Sequence, residues 1–281
     1  MTTATALKVH LRVLEIHRTT LRVVMLRPQT PARFSTNHFH DTWHILAGSD
    51  GAALFGRLLW GLAFQRHPGT LLLIGDPHLV PTPFEADPPD PILVIPDGLT
   101  SVDDDALRAL KLRLRRAPGA PKTIRWHTFN MPAALEREGE RREWLRRGLR
   151  AGLPRDRVPR VGIAQRSRER MARRAGFVCF TAPPAILREH ALGIYEMHTW
   201  QGRWGMYHPI AEHGAHQTWG FDGEFQLIPG FADGVSAARV ARREVLDRDS
   251  GPLATHDERE AIYRHQDHAA IRLGEARRKP R

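Results

Sequence analysis

The sequence predicts an α/β protein: a mixed sheet with partly parallel strands and flanking helices over residues 1–152, then a smaller α+β portion over 153–281. Three observations carry this. The runs Thr70–Ile74 and Ile92–Ile95 are short, continuous and apolar, as strands buried on both faces are. Ala52–Phe64 has helical length and is apolar nearly all round, which marks a helix covered on several sides. Strand, helix, strand and helix then alternate as far as Arg150, which favours parallel pairing.

Taken in order, Val9, Leu11 and Val13 alternate with Lys8, His10 and Arg12, and Leu21–Leu26 follows the Thr19-Thr20 break. These are read as an antiparallel pair at a sheet edge. PQTPARFSTNHFHD reads as a loop, and Trp43–Ala47 as a strand running into Gly48-Ser49-Asp50-Gly51. The six prolines between Pro77 and Pro91 exclude a helix there. Ser101 with Asp103, Asp104 and Asp105 starts a helix striped by Leu107, Leu110 and Leu114 and ended by Arg113, Arg115 and Arg116. A strand at Thr123–Phe129 and a helix from about Pro132 to Arg150 follow. Gly152-Leu153-Pro154 is the expected boundary. Beyond it come a short helix near Gln165–Ala175, an aromatic and His-rich β stretch containing Trp200, Trp204 and Trp219, and a final helix opened by the capping box Thr255/Glu258.

Composition narrows the class. With 41% hydrophobic and 26% charged residues, the chain is that of a globular protein. No apolar run reaches the ~20 residues of a membrane span. The single Cys179 permits no internal disulfide, so a reducing, cytoplasmic setting is expected.

Charge is the strongest functional signal. Residues 105–174 hold 21 Lys/Arg against 7 Asp/Glu, while the whole chain has a net charge of +11, so the basicity is local. A local excess implies a nucleic acid or another polyanion as partner. RDRVPRVGIAQRSRERMARRAGF, residues 155–177, resembles a helix-turn-helix: Gly162 and Ile163 would supply the turn and Gln165–Arg174 a basic recognition helix. The resemblance implies that Arg155, Arg157, Arg160, Gln165, Arg166, Arg168, Arg170, Arg173 and Arg174 meet phosphates or base edges. It departs from the pattern at Pro159, inside the first helix, and at Arg157 and Arg168, where apolar side chains are usual.

A second reading is an enzyme acting on a phosphorylated or anionic small molecule. Gly48, Ser49, Asp50 and Gly51 would cradle the anion, with Asp76 and Asp97 at neighbouring strand ends. Neither a P-loop Lys nor GxGxxG is present, and no cofactor is assigned. HFHDTWH (His38, His40, Asp41, His44) lacks the spacing of the metallo-β-lactamase-like motif. His198, His208, His213 and His216, with Glu196 and Glu212, lack Cys partners, so no metal is assigned to either cluster. A non-catalytic assembly subunit is the third reading.

Overall fold

The computed structural model describes residues 7–116, 120–150, 166–202, 204–212, 221–246 and 255–278. Among them the chain is a mixed α/β protein with two sheets. The first begins as a hairpin, β1 (Leu7–Ile16) with β2 (Thr19–Met25). β5 (Thr70–Ile74) joins β2 in parallel, β6 (Ile92–Pro96) joins β5 antiparallel, and β9 (Phe177–Ala182) joins β6 in parallel. β7 (Lys122–Trp126) closes one edge beside β1, and β8 (Arg170–Arg174) the other beside β9. The β1/β2 pair therefore lies one strand inside the edge. The second sheet has the order β10 (Met206–Glu212), β11 (Phe221–Leu227), β4 (Thr42–Ala47), β3 (Phe34–Phe39), with β11 and β4 parallel. Both sheets draw strands from before and after residue 152. The expected boundary at Gly152-Leu153-Pro154 lies outside the described residues.

The apolar runs are apolar because both faces of the first sheet are covered. Leu71, Leu73, Leu93, Ile95, Phe177 and Cys179 meet the helix α2 (Asp104–Arg116) through Leu107 and Leu110. Their alternate neighbours, Leu72, Ile74, Ile92, Val94, Val178 and Phe180, join α1 (Ser49–Leu62) and, across it, Ile45 and Phe225 of the second sheet. α2 is capped as its acidic start implies, although Asp103 rather than Ser101 accepts the Ala106 N–H, at 2.7 Å.

α3 (Met131–Arg150) places Met131 and Ala134 against the same central core. Gly139 lies inside this helix, and a Cβ there would meet nothing within 4 Å. Gly139→Ala should therefore stabilise the protein by up to about 1 kcal/mol, read as a small rise in denaturation midpoint.

Three elements depart from the sequence reading. β3 lies inside the stretch read as a loop. Its Ser, Thr, Asn and His content gives little strand propensity, and its six residues are fixed by pairing with β4 from Phe34↔Ala47 to Phe39↔Thr42. The aromatic stretch contains a helix, α4 (Pro184–Met197), entered through Pro184 and burying Ile186, Leu187, His190, Ala191, Ile194 and Met197 on one face. Another helix, α5 (Phe231–Leu246), follows and is packed by α6 (His256–Arg278) through Ala237, Ala241, Ile262 and Ala269. The capping box of α6 is present, with Thr255 N–H donating to Glu258 at 2.7 Å.

The third departure bears on function. Arg170–Arg174 form the edge strand β8, not a recognition helix. Ala175 (φ 50°) and Gly176 (φ 77°) make a two-residue turn with both central φ positive, the geometry that suits a tight hairpin into β9. Met171 points into the core, and the Arg side chains of an edge strand discourage pairing with another chain.

Candidate functional site

Of the residues expected to contact nucleic acid, Arg155, Arg157, Arg160 and Gln165 lie outside the described residues. Four of the others are ion-paired: Arg166 with Glu189 (2.5 Å), Arg168 with Asp97 (2.6 Å), Arg173 with Asp90 (2.6 Å) and Arg174 with Asp104 (2.8 Å). Arg170 is exposed on β8. On α3, Arg142 contacts Glu138 at 3.0 Å and also reaches Glu196, while Arg146 and Arg147 pair with Glu143. Asp90, Asp97, Asp104, Glu189 and Glu196 all lie outside the basic stretch in sequence. Folding brings these carboxylates to its arginines.

The expected anion site does not assemble. Gly48-Ser49-Asp50-Gly51 opens α1 at the end of β4, in the second sheet, whereas Asp76 and Asp97 follow β5 and β6 of the first. Because β5 and β6 run antiparallel, Ile74 opposite Ile92, Asp76 and Asp97 stand at opposite ends of the sheet, about 20 Å apart at ~3.3 Å per residue. Gly51 has a packing reason instead, since a Cβ there would crowd Ala47 and Phe34.

A group of cations lines a groove elsewhere. Between β1, the C-terminal half of α2 and the start of β7 runs a groove of about 740 Å³. Arg12, Arg113, Arg116 and Lys122 line it, over an apolar floor of Leu11, Val13, Leu14, Ala109, Leu112 and Pro121. Val13 and Leu112 are each 52% exposed, whereas the other apolar residues of β1 and α2 are buried or partly buried. Strand periodicity extends the charge: Lys8, His10 and Arg12 project from one face of β1, and register places Arg125 of β7 opposite Lys8. Burial, followed by the charges of Arg27 and Arg12, holds the His10 proton affinity below its ordinary value.

The sequence matches no protein-family model, no curated protein and no solved structure. Function therefore rests on local chemistry. Among the described residues no helix is long and apolar enough to cross a membrane, and no group of His, Cys, Asp and Glu could hold a metal ion.

The histidine clusters resolve differently from their spacing. HFHDTWH is a hairpin, turned at His40 (φ 50°) and Asp41 (φ 58°) between β3 and β4. Only His44 of this group is buried, in a row across the second sheet: its Nδ1 lies 2.8 Å from Asn37 Oδ1, its Nε2 3.4 Å from Glu224, and Gln226 donates to Glu224. Burial first, then the charges of His38 and His40, lowers the His44 pKa to about 4, while burial raises that of Glu224. Below pH 6.5 the unfolded chain takes up a proton at this histidine that the folded chain refuses, so its stabilising contribution is lost as pH falls from about 6.5 toward 4. His44 should account for about 2 kcal/mol of stability lost between pH 7 and pH 5, with Glu224 working in the opposite sense. His44→Gln should flatten the pH dependence of the urea midpoint; an unchanged slope would locate the acid sensitivity elsewhere.

In the second cluster, His213 and His216 lie outside the described residues, and His208 finds a partner that was not anticipated. His190 of α4 has its Nδ1 2.7 Å from His208 Nε2 and its own Nε2 2.5 Å from Glu169 Oε1. Glu169 is fully buried and His190 nearly so. Burial alone would raise the Glu169 pKa, but His190, the Ala211 N–H and the Arg166 charge outweigh it and the net direction is down. Ala211 holds the left-handed region (φ 57°), a conformation that costs a non-glycine residue about 1–2 kcal/mol. The signal for His190 was in the sequence: it is the one ionisable residue in the apolar stripe Ile186, Leu187, Ala191, Ile194.

Trp200 and Trp204, read as the core of a small sheet, are instead 45% and 84% exposed, with the Trp200 indole N–H bonded to the Trp204 carbonyl at 2.9 Å. Cys179 is buried as expected, and burial pushes its thiol up to about 11, which leaves it without thiolate character at neutral pH.

Proposed function

We propose that the protein binds the phosphate backbone of a nucleic acid through the groove between β1, α2 and β7. One observation carries the reading: Arg113, Arg116 and Lys122, exposed cations of the basic stretch, line a single groove with Arg12, and the register of β1 with β7 sets Lys8 and Arg125 opposite each other further along the same two strands. The contact surface thus moves from Arg155–Arg174 to the first third of the basic stretch and the strand beside it. Residues i and i+2 of a strand lie ~6.7 Å apart, so Lys8, His10 and Arg12 form a regular row against a repeating phosphate chain. The exposed Val13 and Leu112 would meet sugar or base faces between the phosphate contacts. The role is accessory or regulatory rather than sequence-reading, because the lining offers cations and apolar surface rather than the Asn, Gln and bidentate Arg set that reads base edges. A lone, buried, unreactive thiol fits a reducing, cytoplasmic setting.

Binding of fluorescent duplex and single-stranded DNA, followed by anisotropy at two salt concentrations, tests this. Four phosphate contacts predict a log–log salt slope of about −3.6 on duplex, a loss of roughly 150-fold between 50 and 200 mM salt. Binding that ignores salt, or none at 50 mM, would sink the proposal.

A further inference from the structure

The edge strand β7 leads from the basic groove to a cluster of exposed rings. Lys122 stands at its start, in the groove, Arg125 lies opposite Lys8 near its end, and the chain then passes through His127 to Phe129. Four residues of chain span at most about 14 Å, so the Cα of Phe129 lies no farther than that from the Cα of Arg125. The rings therefore adjoin the cationic row.

Phe129 is 72% exposed and Phe64 54% exposed. Both rest on Trp60, which is buried: its indole N–H donates to the Phe129 carbonyl at 2.9 Å, and its ring centre lies 5.2 Å from that of Phe64. A third ring, that of exposed His127, is stacked on Phe129 with centroids 4.6 Å apart and planes within 8° of parallel. Arg188 of α4 lies over Phe64, 5.4 Å from the ring centre, and puts a cation in the cluster itself. Residues 120–135 contain no Asp or Glu, nor do residues 7–14 of β1, so neither segment sets a carboxylate of its own against an anion.

Resting on the reading of the groove as a phosphate-binding surface, we propose that its preferred ligand is single-stranded nucleic acid, whose phosphates follow Arg12, Lys122, Arg125 and Lys8 and whose unpaired bases stack on Phe129 and Phe64. The choice turns on which surface a base can offer. In a duplex the base faces are stacked on one another and only edges reach a protein, so rings beside the groove add nothing to duplex binding. In a single strand each base has a free face, and a ring pair already parallel within 8° is extended by one more ring. Charge sets the sign of the partner, and the rings set its strandedness.

Anisotropy of the full chain with a fluorescent oligothymidylate of about 12 nucleotides, and with a duplex of equal length, separates the two claims. At about 50 mM salt the single strand should bind at least about tenfold tighter than duplex, and Phe129→Ala should weaken it about tenfold while leaving duplex affinity within about twofold. Stacking releases no counterions, so this variant keeps the wild-type salt slope, whereas loss of a phosphate contact lowers it by about 0.7 on a single strand. Phe129→Trp should bind as the wild type does, and Phe129→Leu as Phe129→Ala does, because Leu keeps apolar bulk but has no ring face. Ultraviolet crosslinking of the oligothymidylate should mark the peptide that holds Phe129. These substitutions change a side chain that is 72% exposed, so the core is undisturbed. Equal affinity for the two forms, a Phe129→Ala or Phe129→Leu protein that binds the single strand as before, or a crosslink confined to exposed Trp200 and Trp204 overturns the inference and leaves salt-dependent duplex binding, and with it the groove, standing. Absence of salt-dependent binding to either form removes the groove reading and this inference together.

Discussion

Gly56→Ala should destabilise the protein by about 3 kcal/mol or more, lowering the melting temperature by about 6 °C or more. α1 and α4 cross at this residue. A Cβ would stand 2.7 Å from the Ala191 carbonyl oxygen, 2.7 Å from the Tyr195 Cβ and 2.9 Å from the Tyr195 amide nitrogen. Two of those atoms are backbone, so no rotamer change relieves the clash and the helices must separate. Separation would loosen Phe55, Leu58, Leu59, Ile186, Leu187, Ala191 and Ile194, which lie between the two sheets. Gly139→Ala is the internal comparison, since it adds the same methyl to a helix with open space around it and gains helix propensity. Thermal or urea unfolding of the two variants measures both. Equal midpoints would mean that α1 and α4 do not meet as closely as described.

The second large effect concerns binding. Arg113→Glu, Arg116→Glu and Lys122→Glu together should weaken duplex binding on the order of 10³-fold at 50 mM salt, because three phosphate contacts are removed and each contributes about 0.9 to the log–log salt slope. The slope itself should fall toward that of one remaining contact. Fold stability should hold, since all three side chains are exposed and favourable placement of Arg113 and Arg116 at a helix C-terminus is worth only about 0.3–1 kcal/mol each. Arg146→Glu with Arg147→Glu on α3 supplies the control: these side chains are exposed and paired within their own helix, and their reversal should leave affinity within a few-fold. If the α3 pair proves as damaging as the groove triple, binding is diffuse and the groove has no special part.

Much of the architecture was legible because it follows from local pattern. Thr70–Ile74, Ile92–Ile95, the stripe of α2, the α1 run and the capping box at Thr255 each carry their periodicity or end signal within a few residues, and each formed where that signal lies. Segments whose state depends on a partner were not legible. β3 is polar in composition and is a strand because β4 lies beside it; Arg170–Arg174 carry helix-compatible residues and are a strand because β9 leaves an edge to fill.

The same division runs through the candidate sites. A local excess of positive charge could be counted from the residues alone, since charge is a property of composition. Which of those charges remain available could not, because Asp90, Asp97, Asp104, Glu189 and Glu196 neutralise their partners from distant parts of the chain. Asp76 and Asp97 likewise end neighbouring strands in sequence order, and only the antiparallel pairing of β5 with β6 sets them far apart. Glu169 precedes β8, His190 lies on α4 and His208 on β10, with no common spacing, so their contacts form only in the folded chain. The sequence by itself determined the α/β class, the buried strands and the sign of the surface charge, since hydrophobic periodicity and charge act through near neighbours. Tertiary structure alone decided strand direction, the pairing of ions and the contacts of His190 with Glu169 and His208, since these depend on which distant groups come within hydrogen-bonding distance.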